Sequence, residues 1–383
     1  MRSFSDMNEI LDKWETLSES YDEAKDDYER LIRHYFGFVI TRGLKTGCKN
    51  FASIMVIPYF LFSLRRQNVD FEDDYDAVVT APNKEYLLNK EAIPHELIER
   101  YDSYKYVSVE SNSLLSKYKT YILDSNAYEI ALNVLKKYPN HPFMVLRVIL
   151  QLGRVSALIH KYRPKAIIVT QAEQDFTSSI ITMCCEKSGV KYVCVQHGEY
   201  CYNPSMAYVR FSEYYAWDEY TINNLELTND KINFAHLYTP VRYSSKYRRK
   251  EKPEYFIAYY LSGEKEEAIF EIKDVLLKFE NVGFKCKIRR HPRTMKQESI
   301  EKIFENSDVI VEDCSQVSIE DSLCDTLYVV SYRSTILTEA FYSSMNIVID
   351  DVVGDIKLLA RVHYANIERT QLRLSDLLAK YVA

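Results

Sequence analysis

The segment KAIIVTQAEQDFTSSIITMCCEKSGVKYVCVQHG, residues 165–198, decides the fold class. Lys165–Thr170 is a continuous apolar run, the pattern of a strand covered on both faces in a parallel sheet. The polar stretch Gln171–Asp175 then leads into a helical pattern over Phe176–Lys187, and Gly189 stands where a helix-ending glycine belongs. A second apolar strand, Lys191–Val195, follows and ends on Gln196-His197-Gly198. Strand, loop, helix and strand in this order make a β-α-β unit.

Working outward, the same alternation restarts after residue 254. Strands are expected over Tyr255–Leu261, Phe284–Ile288, Val309–Val311, Leu327–Val330 and Asn346–Ile349. Helices are expected between them, the longest over Lys265–Glu280 with Ile269, Ile272, Val275, Leu276 and Phe279 on one face. The charged segment SSKYRRKEKPE, residues 244–254, separates the two series and reads as a linker. Upstream, Ala77–Thr80 and Tyr104–Val109 read as strands, while residues 1–35 and 127–162 read as helical. The predicted architecture is α/β: two Rossmann-like domains facing a cleft, preceded by a helical segment. Its parts are a helical segment 1–66, a first α/β domain 67–243, the linker 244–254, a second α/β domain 255–365 and a C-terminal helix 366–383.

Composition narrows the chemistry. The 383 residues include 32 Tyr but only 9 Gly, where average usage would give roughly 27. No two glycines form a Gly-x-Gly, so neither a dinucleotide fingerprint nor a P-loop is present. A net charge of −6 argues against general nucleic-acid binding. Eight cysteines without a C-x-x-C pair suit free thiols in a reducing compartment better than a zinc site or a disulfide framework. The apolar run Phe51–Leu64, interrupted by Pro58 and closed by Arg65 and Arg66, is short for a spanning helix, which needs about 20 residues. It reads as a buried helix, with a membrane-surface element as the alternative.

Ligands of open α/β sheets bind beyond the carboxyl ends of strands, and four strand ends carry chemistry. Glu173 and Asp175 follow the first strand quoted above, and Gln196-His197-Gly198 follows the second. Arg289-Arg290-His291-Pro292-Arg293 forms a basic strand exit, suited to phosphate, with a solvated basic edge as the plainer reading. Ser334 and Thr335 open a helix whose free N–H groups favour an anion, and Glu339 lies one turn further on, in reach of a ribose diol. An ordinary capped helix would look the same. Anion-binding groups on one domain and acid/base candidates on the other suit group transfer from a nucleotide donor.

These three motifs, Gln196-His197-Gly198, Arg290-His291-Pro292 and Ser334-Thr335-x-x-x-Glu339-Ala340, resemble GT-B-fold glycosyltransferases of bacterial surface polysaccharides. The resemblance is to the capsule and lipopolysaccharide group, which includes sialyl- and Kdo-transferases and polyglycerol-phosphate polymerases. It spans about residues 165–350. It implies that His291, with Arg290, Pro292 and Arg293 beside it, contacts the donor phosphate, that Ser334 and Thr335 bind phosphate, and that Glu339 contacts the nucleotide. Two departures stand out: an Asp/Glu-Asp/Glu-Gly motif is missing, and Ser343-Ser344-Met345 replaces the usual glycine after the helix.

The implied activity is a metal-independent, inverting transfer of a sugar from a nucleotide-activated donor to a glycan or lipid-linked glycan. Asp175, Glu173 or His197 would serve as base, with Gln196 and Gly198 lining the cleft. No metal and no cofactor is implied; the nucleotide sugar, CMP- or UDP-linked, is the substrate. The expected setting is the cytoplasm, at the inner face of the plasma membrane, with peripheral membrane contact and no nucleic-acid partner. Rival readings are a CDP-donor glycerophosphotransferase, a nucleotide-sugar 2-epimerase and a non-catalytic assembly partner.

Overall fold

The computed structural model describes residues 9, 11–12, 24–81, 93–108, 120–170, 172–196, 198, 208–226, 235–237, 248–291, 296–362 and 364–382. The chain divides into an N-terminal unit, Ser5–Gly198 with Asn203–Pro240, and a C-terminal unit containing Val241–Ala383.

In the N-terminal unit α1 (Asp27–Arg42) and α2 (Gly47–Arg66) precede the first described strand. There follow β1 (Ala77–Ala81), α3 (His95–Glu99), β2 (Tyr104–Ser108), α4 (Ser125–Lys137), α5 (Pro142–Tyr162) and β3 (Ala166–Thr170). A short 3-10 turn at Ala172–Gln174 leads to α6 (Ser178–Lys187), β4 (Lys191–Val195), β5 (Glu213–Ala216), α7 (Glu219–Glu226) and β6 (Ala235–Leu237). The sheet runs β2-β1-β3-β4-β5-β6 with every described pair parallel. All five residues of β3 are buried, as a strand covered on both faces must be. Pro142 sits in the first turn of α5, where its missing N–H costs no bond. Gly189 ends α6 at φ +71°, with Val190 donating back to Cys185, the closing bond of a Schellman turn.

Two parts of this unit differ from the sequence reading. Helix α2 runs unbroken for 20 residues through Pro58, and only Ser53, Ile57 and Leu64 are buried. It is apolar on more sides than its neighbour α5 can cover, so the buried-helix reading fails for most of its surface. The approach to α5 uses Gly153, where a Cβ would come within 3.1 Å of Leu64. In addition, the segment Glu213–Ala216, for which the sequence reading gave no strand, forms β5, with Tyr214 and Tyr215 buried in it.

The C-terminal unit alternates strictly: β7 (Tyr255–Tyr260), α8 (Glu266–Asn281), β8 (Cys286–Arg289), α9 (Gln297–Ile303), β9 (Ile310–Glu312), α10 (Ile319–Cys324), β10 (Thr326–Ser331), α11 (Thr335–Tyr342) and β11 (Asn346–Ile349). Helices α12 (Ile356–Arg361), α13 (Ala365–Arg369) and α14 (Leu374–Tyr381) follow. The sheet order is β11-β10-β7-β8-β9, again all parallel. The five apolar residues expected on one face of α8 are its buried set. The tail read as one helix is broken at 370–373, because Arg373 is extended and bridges to Ile349 at the sheet edge. The described part of the 244–254 segment is fastened to this unit, with Lys250 and the amide of Glu254 both bonded to the Asp325 carboxylate. Both units are therefore parallel α/β sheets, as read from the sequence, with helices α1 and α2 ahead of the first strand.

Candidate functional site

In the C-terminal sheet the first strand, β7, lies in the middle. The chain leaves it toward β8 and β9 on one side and returns to β10 and β11 on the other. The order reverses between β7 and β10, and at such a switch point the two departing loops open a crevice at the carboxyl edge. Those loops are Leu261–Glu264 and Tyr332–Ser334, and the exit of β8, Arg290–His291, lies next to them. Local bonds hold the three exits level. The amide of Leu261 donates to Arg289 O at 2.9 Å, and Ser331 Oγ donates to Tyr260 O at 2.6 Å. The fold thus brings Arg290, His291, Ser334 and Thr335 to one edge of one sheet.

Each exit is built from its sequence. Ser334 is extended and caps α11, its Oγ accepting from the Ile336 amide at 3.3 Å. The hydroxyl keeps its own O–H to donate. The Ser334 carbonyl is held by Tyr364 Oη at 3.2 Å, which fixes the helix start. Thr335 is exposed beside it and Glu339 is half-buried one turn on. After α11 the chain turns through Ser344 at φ +56°, with Met345 donating to Ala340. That is the Schellman position a glycine would fill, and it is where the sequence departs from the resembled family.

The exit of β7 was not singled out by sequence. Gly263 takes φ +111°, and the Glu264 carboxylate receives the Ser262 amide (2.7 Å), the Gly263 amide (3.0 Å) and Ser262 Oγ (2.6 Å). Two successive amides converging on a negative charge form an anion nest, here filled by the chain's own carboxylate. The only sequence signal was Ser-Gly directly after the first strand of the unit.

The basic exit of β8 is smaller than its sequence suggests. Arg289 and Lys287 point into the interior, where Glu312 of β9 accepts from both, at 2.6 and 2.8 Å. Burial alone would raise the Glu312 carboxyl, but hydrogen bonds from Lys287, Ser322 and Arg289 hold it below its usual range. Burial in turn pulls the Lys287 ammonium down. These two cations are therefore neither a solvated edge nor a phosphate site. Arg290 and His291 remain half-buried at the exit, and Arg290 Nε donates to Gln297 at 3.1 Å. Pro292 and Arg293 lie outside the described residues.

In the N-terminal sheet the order reverses between β1 and β3, so the loop after β3, with Glu173 and Asp175, leaves the corresponding switch point. Glu173 is fully buried and accepts from Tyr214 Oη at 3.2 Å. Burial pushes the neighbouring Cys194 thiol well up, and the Glu173 carboxyl beside it adds to the shift. Asp175 is half-buried and accepts from the Thr177 amide and hydroxyl at 3.0 and 2.8 Å, steadying the start of α6. Gln196 is a brace: it accepts from the Trp217 amide at 2.7 Å and donates to Gly198 O and Thr221 Oγ1. A Cβ built on Gly198 meets nothing within 4 Å among the described residues. His197 lies outside them. Among the described residues, no three His, Cys, Asp or Glu side chains converge as a metal site would require.

No family model and no curated protein matches the sequence. Solved structures do. A UDP-GlcNAc 2-epimerase from Neisseria meningitidis bound to UDP-GlcNAc is 11% identical, with a TM-score of 0.44 over 74% of this chain and 85% of its own. The UDP-GlcNAc 2-epimerase from Methanocaldococcus jannaschii is 9% identical, with a TM-score of 0.43 over 81% and 93%. The wall teichoic acid polymerase TagF is 8% identical, with a TM-score of 0.38 over 84% and 78%.

Proposed function

We propose that this chain is a cytoplasmic glycosyltransferase that moves a sugar from a nucleotide-activated donor to a glycan or lipid-linked glycan in bacterial capsule or lipopolysaccharide synthesis. The observation that carries the reading is the carboxyl edge of the C-terminal sheet. There a capped helix start with two hydroxyls, a pair of converging amides and an Arg-His exit occupy the three adjacent strand ends at a switch point.

In this reading the donor diphosphate or phosphate sits against Ser334, Thr335 and the first turn of α11, with His291 and Arg290 beside it and Glu339 toward the nucleoside. Charge builds on the departing phosphate as the glycosyl bond breaks, and fixed dipoles already aimed at it stabilise that charge without rearrangement. Each charge-assisted contact contributes roughly 1.5–3 kcal/mol. The Glu264 carboxylate would have to leave the Ser262–Gly263 amides for a phosphate to use them, so the nest is the most replaceable part of the site. The base that takes the acceptor proton is sought in the N-terminal unit, among Asp175, Glu173 and His197. Asp175 is the more open of the two described carboxylates.

A thermal-shift comparison of CMP, CDP, UDP and GDP tests the reading. A ligand at a hundred times its dissociation constant stabilises by about 2.7 kcal/mol. One nucleotide is expected to raise the midpoint, and His291→Ala to remove the rise. No response to any of the four would sink the proposal. Activity surviving EDTA is expected, and turnover of donor without acceptor would point to an epimerase instead.

A further inference from the structure

Among the described residues, α2 carries more exposed large apolar side chains than any other element, and the site leaves them unused. Phe51, Met55, Tyr59 and Phe62 follow one another at steps of four, four and three residues, with Ile54 beside Met55, and form one stripe. All are exposed, Phe51 to 72% and Met55 to 70%. Isolated exposed apolar residues are ordinary, but a contiguous aromatic stripe marks an interaction surface.

We propose that this stripe docks on an anionic phospholipid bilayer, with α2 lying along the surface. Charge decides the occupant. Residues 30–69 contain no Asp or Glu, in a chain whose net charge is −6, yet they hold seven Lys and Arg. Lys45 and Lys49 are exposed at one end of the stripe and Arg65 and Arg66 at the other. The Arg66 guanidinium lies 4.0 Å over the Phe62 ring, so the cation continues the apolar stripe directly. In the acidic run that follows, Glu72 pairs with Lys161 and Asp76 with Lys165, while Asp70, Asp73 and Asp74 are exposed beyond the end of α2. A second copy of this chain is the poorer occupant, because a two-fold contact through this face would set like charges against each other.

The helix is long and apolar enough to cross a membrane by length and composition, but its other side is fastened. Leu64 O accepts from the Leu123 amide at 2.9 Å, Asn50 accepts from the Phe143 amide at 3.1 Å, and Arg65 donates to Leu123 O. Ser53, Ile57 and Leu64 are buried on that side. A helix bound to the protein on one face and presenting aromatics with flanking cations on the other lies in the interface. The inference stands independently of which nucleotide the C-terminal unit binds.

Co-sedimentation of the full chain with vesicles of phosphatidylcholine, with and without phosphatidylglycerol, tests it. Binding is expected with the anionic vesicles, weakening as salt is raised. The triple variant F51S/M55S/F62S alters only exposed side chains; with an unchanged unfolding midpoint, it should bind roughly tenfold or more weakly. Arg66→Gln should lose roughly fivefold. Failure to bind anionic vesicles, or equal binding by the triple variant, overturns the proposal. So does concentration-dependent self-association in solution that the triple variant abolishes.

Discussion

In the C-terminal sheet Lys287, Arg289 and Glu312 enter the interior together, whereas in the N-terminal unit His34 of α1 enters it with no partner for its ring among the described residues. The first three are nearly inaccessible and joined by bonds of 2.6 and 2.8 Å. The imidazole of His34 is fully buried, and among the described residues neither ring nitrogen has a hydrogen-bond partner. The first arrangement keeps charge inside by pairing it. The second keeps a titratable group inside by leaving it neutral, and burial lowers the His34 pKa to about 3. The two arrangements respond to acid in different windows. Both groups have folded pKa values below their ordinary ones, so each contributes stability above its ordinary pKa and loses it as pH falls. For His34 the loss begins near pH 6.5 and continues toward 3. For Glu312 it begins only below about 4.5.

The sharpest way to break this comparison is Glu312→Gln, which leaves two buried cations without their counter-charge. It should cost about 3–5 kcal/mol in denaturant unfolding, and a cost below 1 kcal/mol would mean that the pairing contributes little. Next is the order of acid unfolding. Trp217 belongs to the N-terminal unit, so in a Trp14→Phe variant tryptophan fluorescence follows that unit alone. At pH 5 His34 should reduce its stability by roughly 2 kcal/mol relative to neutral pH. His34→Leu should flatten the profile between pH 7 and 5, and an unchanged profile would remove His34 as its cause. Ser334→Ala should cost about 1 kcal/mol in the C-terminal unit through the lost cap, leaving the fluorescence transition in place while weakening nucleotide binding. The smallest effect is a gain: Ser344→Gly relieves a left-handed serine and should stabilise by up to about 1 kcal/mol, read from the midpoint of urea unfolding.

The strands most legible in the sequence were those covered on both faces. KAIIVT and KYVCV are apolar without interruption, because no residue in them meets water. Strand β5, Glu213–Ala216, escaped notice because its core positions are Tyr214 and Tyr215, whose hydroxyls bond inside the protein to Glu173 and Glu213. Strand order could not be read at all, since it depends on where each crossover returns. The positions of Ser334 and His291 were legible, because a polar residue directly after an apolar strand must lie at the sheet edge. Their neighbour Arg289 was misjudged for a physical reason: its partner Glu312 belongs to another strand, and only pairing in register brings the two together. The charge pattern around α2 was legible in part, but its exposure depends on how little of the helix α5 can cover.

The position of α14 has a consequence for biosynthesis. Its Tyr381 ring lies 5.0 Å from Phe256 and 5.6 Å from Phe284, at β7 and just before β8, and Leu374 and Leu377 join the same core as Ile257. The first strands made in this unit are thus covered by its last helix. On the ribosome, β7 and β8 emerge with their aromatic face open and must wait for nearly the whole unit to follow. Contacts so distant in sequence form late, and apolar surface left open meanwhile is prone to aggregate. The C-terminal unit is therefore the part whose yield should depend most on how quickly the rest of the unit follows β7 and β8 and on what shields the nascent chain before it does.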